Sequence, residues 1–157
     1  MGRQMPRKHE LATPEKRLTV RSLEDLVGYH LRRASVMDLQ GSTAALADVN
    51  LRPVSMSVLC NVIEKPGATA AEICRVLDMQ RSNIVSILAD LEGQGLVLRE
   101  TDETDQRIQR LYATKRGFDV TSNSFALLSA HEERLLVNLH PSERSELLRL
   151  LSLIWQR

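Results

Sequence analysis

Between Thr69 and Gly117 five local signals follow one another without a gap, and their order leaves the fold little freedom. Thr69-Ala70-Ala71-Glu72 is a capping box, in which a threonine hydroxyl and a glutamate carboxylate satisfy each other's orphan end amides. Ile73 and Leu77 give the short helix that follows an apolar side. Asp78-Met79-Gln80 reads as a turn. A second helix then runs from about Arg81 to Glu92, with Ile84, Ile87, Leu88 and Leu91 at the spacing of one buried face. Gly93-Gln94-Gly95 stops it, since glycine accepts the left-handed closing conformation. Two short strand candidates, Leu96-Val97-Leu98 and Arg110-Leu111-Tyr112-Ala113, bracket a charged, turn-forming stretch and so predict a hairpin with an extended tip. Helix, turn, helix and hairpin in this order are the plan of a winged helix-turn-helix, in which one helix enters a DNA groove and the hairpin straddles the neighbouring backbone.

The flanks read as helical. Residues 1–18 carry prolines and basic residues without an apolar period, and are expected to be a flexible basic arm. Ser22 can cap a helix whose first turn holds Glu24 and Asp25 and whose stripe is Leu23, Val27, Leu31 and Ala34, running to about Gly41 before an irregular piece at Asp48 and Asn50. Pro53 suits the first turn of the next helix, whose predicted face is Val54, Val58, Leu59, Val62 and Ile63, ended by Lys65-Pro66-Gly67. From Thr114 a helix places Phe118, Thr121, Phe125 and Leu128 on one side. Pro141 opens a last helix so rich in leucine that a second subunit is the natural cover for it. The expected architecture is mainly α with a small β-hairpin wing. Its parts are an arm (1–18), an N-terminal dimerisation and ligand-pocket helix (19–50), the winged helix-turn-helix (51–113) and C-terminal dimerisation helices (114–157).

Composition narrows the function by exclusion. Aromatic residues are only 3% of the chain, so an aliphatic, helix-favouring core is expected. A formal net charge of +1 argues against a non-specific nucleic-acid coat, although a local basic face can still meet a polyanion. Cys60 and Cys74 make no disulfide scaffold; each follows a core-facing residue and reads as a small buried hydrophobe, not an oxidant sensor. With no signal-like apolar segment and no run able to cross a bilayer, a cytoplasmic location is expected. His9, His30, His131 and His140 show no ligand spacing, and no phosphate loop or nucleophile elbow is visible. No metal, no cofactor and no enzymatic activity are expected.

The polar face of the second helix, Arg81, Ser82, Asn83 and Ser86, has the side chains that read base edges: arginine pairs with guanine, asparagine with adenine, serine with either. In the hairpin, Arg107 and also Arg99 and Arg110 are candidates for the narrow groove beside it, with Asp105 placed two residues earlier to hold Arg107.

These motifs together resemble the MarR family of bacterial transcriptional regulators, whose pattern runs Leu-Thr-x-x-Gln-x-x-x-Leu, helix-turn-helix, Asp-x-Arg in the wing, then Leu-Thr-x-x-Gly. Here Leu51-Arg52-Pro53-Val54-Ser55 with Leu59 stands for the first piece, Asp105-Gln106-Arg107 for the wing signature, and Ala113-Thr114-Lys115-Arg116-Gly117 for the last. The resemblance covers residues from roughly 20 to 155. Arg52 and Ala113 depart from the pattern, and Ser86 and Asp90 lie where basic residues are common in the family. The resemblance implies a homodimer on a pseudo-palindromic operator in double-stranded DNA, acting as a repressor. It also implies release by a small anionic effector, aromatic or phenolic, an aromatic acid or its thioester. Tyr29, His30, Arg33 and Met37 of the first helix, with Phe125 and His131 of the later one, are the candidate effector-binding residues. The alternative is a winged-helix protein-interaction module with no sequence-specific DNA binding, favoured by the acidic hairpin residues Glu100, Asp102, Glu103 and Asp105 and by the non-basic second half of the recognition helix.

Overall fold

Ser22 does cap a helix, but only a single turn. Its hydroxyl accepts from the Glu24 amide, and Asp25 reaches back to the Ser22 amide, closing a box around a 3₁₀ turn at Leu23–Asp25. The first α-helix, α1, begins after it and spans Val27–Ala45 in this computed structural model, which describes residues 22–156. The basic arm predicted for residues 1–18 lies outside the described residues. Gly41 does not end α1; a 3₁₀ turn at Ala47–Val49 follows, closed by Asn50 in the left-handed region at φ 52°. The described residues fall into two compact units divided between Ala34 and Ser35. Among the described residues the first consists of the opening turn and the start of α1.

Helix α2 spans Pro53–Glu64, α3 Ala70–Val76, α4 Arg81–Gly93, α5 Lys115–Leu135 and α6 Pro141–Trp155. Strands β1 (Val97–Thr101) and β2 (Gln109–Ala113) pair antiparallel, from Val97 opposite Ala113 to Thr101 opposite Gln109. The hairpin is therefore longer than the expected strand cores. Leu96 is not in the strand: its amide returns to the Leu91 carbonyl at 2.9 Å as part of the helix stop, with Gly95 at φ +68°.

The capping box is formed as predicted. The Thr69 amide donates to Glu72 Oε2 at 2.8 Å, and the Glu72 amide to Thr69 Oγ1 at 3.3 Å. In the turn after α3, Asp78 takes the left-handed conformation (φ 48°), and the Met79 amide closes back on the Cys74 carbonyl at 2.9 Å. Ile84, Ile87, Leu88 and Leu91 are all buried, as their spacing required, and pack with Leu46, Val58, Leu59, Val62, Ile73, Leu96 and Leu111 in one aliphatic core.

Two predicted faces are corrected. Val54 is exposed; Val58, Leu59 and Val62 are buried as expected, and Ser55 and Met56 turn inward with them. On α5, Thr121 is buried and Leu128 packs against the core as expected, but Phe118 and Phe125 are exposed, and the small or polar Gly117, Ser124 and His131 complete the buried side. Small residues let α5 approach closely: a Cβ on Gly117 would stand 2.2 Å from the Leu96 carbonyl oxygen. Thr114 fixes that junction, donating to the Gly95 carbonyl at 2.7 Å while accepting from the Gly117 amide at 3.0 Å. Among the described residues no helix is long and apolar enough to cross a membrane.

Candidate nucleic-acid interface

The burial of one side of α4 dictates what the other side shows. Arg81, Ser82, Asn83 and Ser86 are all exposed, near the N-terminal end of the helix. Ser86 turns its hydroxyl to the Asn83 carbonyl at 3.0 Å, which occupies its donor. Among the described residues no carboxylate lies within ion-pair reach of Arg81 or Arg107, so both cations are uncommitted. Asp90, the residue that seemed out of place on a DNA-facing helix, is paired with Arg52 at 3.2 Å.

The wing divides its three arginines between different tasks. Arg99 forms an ion pair with Glu92 on α4, and Arg110 pairs with Asp102. Arg110 also donates to the Gly67 carbonyl at 3.1 Å. Only Arg107 stands exposed at the hairpin tip without such a partner among the described residues. The expected role of Asp105 is altered: its Oδ1 accepts the Arg107 backbone amide at 3.0 Å, so it shapes the turn and does not grip the guanidinium. Asp102, expected only as an acidic residue of the turn, organises the tip. Its carboxylate accepts from the Thr104 hydroxyl at 2.6 Å and from the Thr104 and Asp105 amides at 2.9 and 3.1 Å. Those bonds, led by the Thr104 hydroxyl and joined by Arg110, hold its carboxyl well below the usual carboxylate range.

The surface so built is a helix end with arginine and asparagine exposed, flanked by a hairpin carrying one free arginine. Residues 51–117 match the winged helix DNA-binding domain family. Along nearly its whole length the chain is similar to the transcriptional repressor CouR solved bound to a 23-mer DNA duplex, at 33% identity and TM-score 0.79, covering 93% of this chain and 99% of that one. The chain belongs to the MarR family of transcriptional regulators. A MarR-family regulator from Rhodococcus sp. RHA1 is similar at 27% identity and TM-score 0.79, covering 85% of this chain and 94% of that one. CouR from Rhodococcus jostii RHA1, solved bound to p-coumaroyl-CoA, matches at 27% identity and TM-score 0.74, covering 87% and 96%.

This MarR-family chain also holds an apolar cavity of about 620 Å³ walled by α1, α2, α5 and α6 residues of the second unit. Phe125 and His131 line it, as expected of effector-binding residues; Met37 is not among its lining residues and is exposed. His131 is buried against Gly41, and its Nε2 lies 3.2 Å from Asp38 Oδ1. Tyr29, His30 and Arg33 belong to the first unit and are engaged locally. Arg33 donates to the Tyr29 hydroxyl at 3.1 Å and stands 5.8 Å from its ring centre, and His30 Nε2 is 2.8 Å from the Glu24 carbonyl oxygen. Sequence reasoning missed Asp38, Leu128, Glu132 and Leu135 as cavity residues. The run Phe125, Leu128, Glu132, Leu135 has helical spacing and was readable as one face of α5. Cys60 lines the same cavity, where burial, reinforced by Glu64, pushes its thiol pKa up, the reverse of what a reactive thiolate needs.

Proposed function

We propose that this MarR-family chain is a repressor that occupies an inverted-repeat operator as a homodimer and leaves it when a small effector binds. The observation that carries the reading is the outward placement of Arg81, Asn83 and Arg107 on a chain similar, almost end to end, to a repressor solved on a DNA duplex. Pairing of two copies is supported by α6, whose Leu148, Leu150, Leu153 and Ile154 are all exposed, an apolar surface that water disfavours. The effector is an aromatic or phenolic acid or its thioester, anionic overall, a reading supported by the relative that holds p-coumaroyl-CoA. Phe125 and His131 are its best-placed partners, while Tyr29, His30, Arg33 and Met37 remain proposals from sequence. For release, the ligand must bind the DNA-incompetent arrangement more tightly, and a coupling of about 1–3 kcal/mol is typical. The protein-interaction alternative loses part of its support, because the acidic Asp90 and Glu92 of α4 are paired with Arg52 and Arg99.

Sedimentation of the purified protein with and without a duplex from its own promoter region tests this. The expected result is a dimer alone and two protomers per duplex in the mixture. A folded monomer that ignores every duplex would contradict the proposal.

A further inference from the structure

Of the branched aliphatic residues in α4, Ile84, Ile87, Leu88 and Leu91 are buried, and Val85 alone is exposed, at 63%. A valine so placed adds little to the core. It adds little to the helix either, since its branched Cβ loses freedom against the preceding turn and makes it a weaker helix former than alanine or leucine. Val85 stands four residues after Arg81, a spacing that puts both on one helix face. The two line a single depression of about 240 Å³ with Ile84 and with Ala70, Ala71 and Cys74 of α3. Arg81 is the one charged residue among these six. The depression is smaller than the roughly 300 Å³ at which pockets for whole small molecules begin, so it suits one protruding group. In the major groove a base pair offers such a group only as the 5-methyl of thymine, which small apolar side chains contact. The depression is continuous, through Arg81, with the exposed Ser82 and Asn83 of the candidate interface.

We propose that Val85, with Ala70 and Ala71, forms a receiver for a pyrimidine 5-methyl group, so that α4 reads a thymine beside the guanine paired with Arg81. Arg81 takes the guanine by hydrogen bonds to O6 and N7, and the neighbouring methyl leaves water for the apolar wall. The receiver recognises the methyl and not the rest of its base, so 5-methylcytosine satisfies it as thymine does. This rests on the operator reading above and specifies part of the sequence read.

The test uses the full-length protein and duplexes carrying the inverted repeat that it selects from its own genomic DNA. Each thymine of one half-site is replaced in turn by uracil, which deletes the methyl and leaves the hydrogen-bonding edge unchanged. One replacement, beside the guanine whose discrimination Arg81→Ala relaxes, is expected to weaken binding about fourfold, the worth of one buried methyl-sized group. At that position a 5-methylcytosine duplex is expected to bind more tightly than its cytosine counterpart by a similar factor. Val85→Ala, folded because alanine is the better helix former, is expected to bring both ratios close to one. A methyl effect that persists in Val85→Ala overturns the inference, and so does a half-site in which no uracil replacement costs affinity. In either case Arg81→Ala that still relaxes discrimination leaves the operator reading standing. A folded protein that selects no sequence removes the operator reading itself, and the inference with it.

Discussion

Arg110 donates a hydrogen bond to the carbonyl oxygen of Gly67 at 3.1 Å, tying the second strand of the wing to the connection between α2 and α3. The same connection is joined to the strand by backbone: Gly67 N to the Leu111 carbonyl at 2.8 Å, and Leu111 N to the Ala68 carbonyl at 3.0 Å. Gly67 is needed there, at φ +80° with the Tyr112 hydroxyl 3.2 Å from where a Cβ would stand. Arg110 is therefore committed to holding the hairpin against the helical lobe, with Asp102 on its other side.

That commitment separates two wing arginines by experiment. Arg107→Ala is expected to weaken DNA binding and to lower the salt slope by about 1 per lost phosphate contact. Arg110→Ala is expected to weaken binding with little change in slope, because it loosens the wing without removing a phosphate partner. Affinities measured across a salt series distinguish them; equal slopes in the wild type and Arg107→Ala would assign that arginine elsewhere.

On α4, Arg81→Ala and Asn83→Ala should each reduce discrimination between operator and non-operator DNA, by roughly 1–3 kcal/mol per lost bidentate contact. Both side chains are exposed, so thermal stability and oligomeric state should not move. Competition binding against a scrambled duplex checks this, and unchanged discrimination would remove these residues from the interface.

Gly117 is a packing requirement. Replacing it with alanine puts a methyl 2.2 Å from the Leu96 carbonyl oxygen, which is backbone and cannot swing aside. A loss of about 1–3 kcal/mol is expected from such overpacking, read as a lower denaturant midpoint. A midpoint equal to wild type would mean that α5 is not seated as described.

The α3 cap gives a pH signature. Glu72 has its carboxyl lowered from 4.5 to about 2, chiefly by the Thr69 amide, then by Lys65 at 2.9 Å and the Thr69 hydroxyl. The folded value lies below the unfolded one, so this contribution is present above about pH 4.5 and is lost as pH falls through about 2. Glu72→Gln should therefore lower stability at neutral pH and flatten its decline across that window. Denaturant titrations at several pH values check the sign, and parallel curves for the two proteins would refute it.

Much of the α-helical lobe was legible because its signals are local. A capping box, a 3.6-residue period over Ile84, Ile87, Leu88 and Leu91, and a glycine stop each need only their immediate neighbours. Misjudged faces arose where long-range packing overrides period: α5 turns Gly117 toward the wing junction, where a Cβ would stand 2.2 Å from the Leu96 carbonyl oxygen, and leaves Phe118 exposed. At the candidate interface, the exposed side of α4 followed from its buried side. The division of labour among Arg99, Arg107 and Arg110 did not, since their partners Glu92, Asp102 and Gly67 come from other parts of the chain. The cavity was half legible for the same reason. Its α5 face has helical spacing, whereas Asp38 and Leu77 reach it only through the fold.

The most direct test of the account is selection of fragments of the organism's own DNA on the purified protein, followed by sequencing of what is retained. The account predicts enrichment of one or a few inverted repeats, with half-site centres roughly 34 Å apart along the duplex and affinity on the order of 10⁻⁸ to 10⁻¹¹ M. A folded, dimeric sample that enriches no sequence would contradict it.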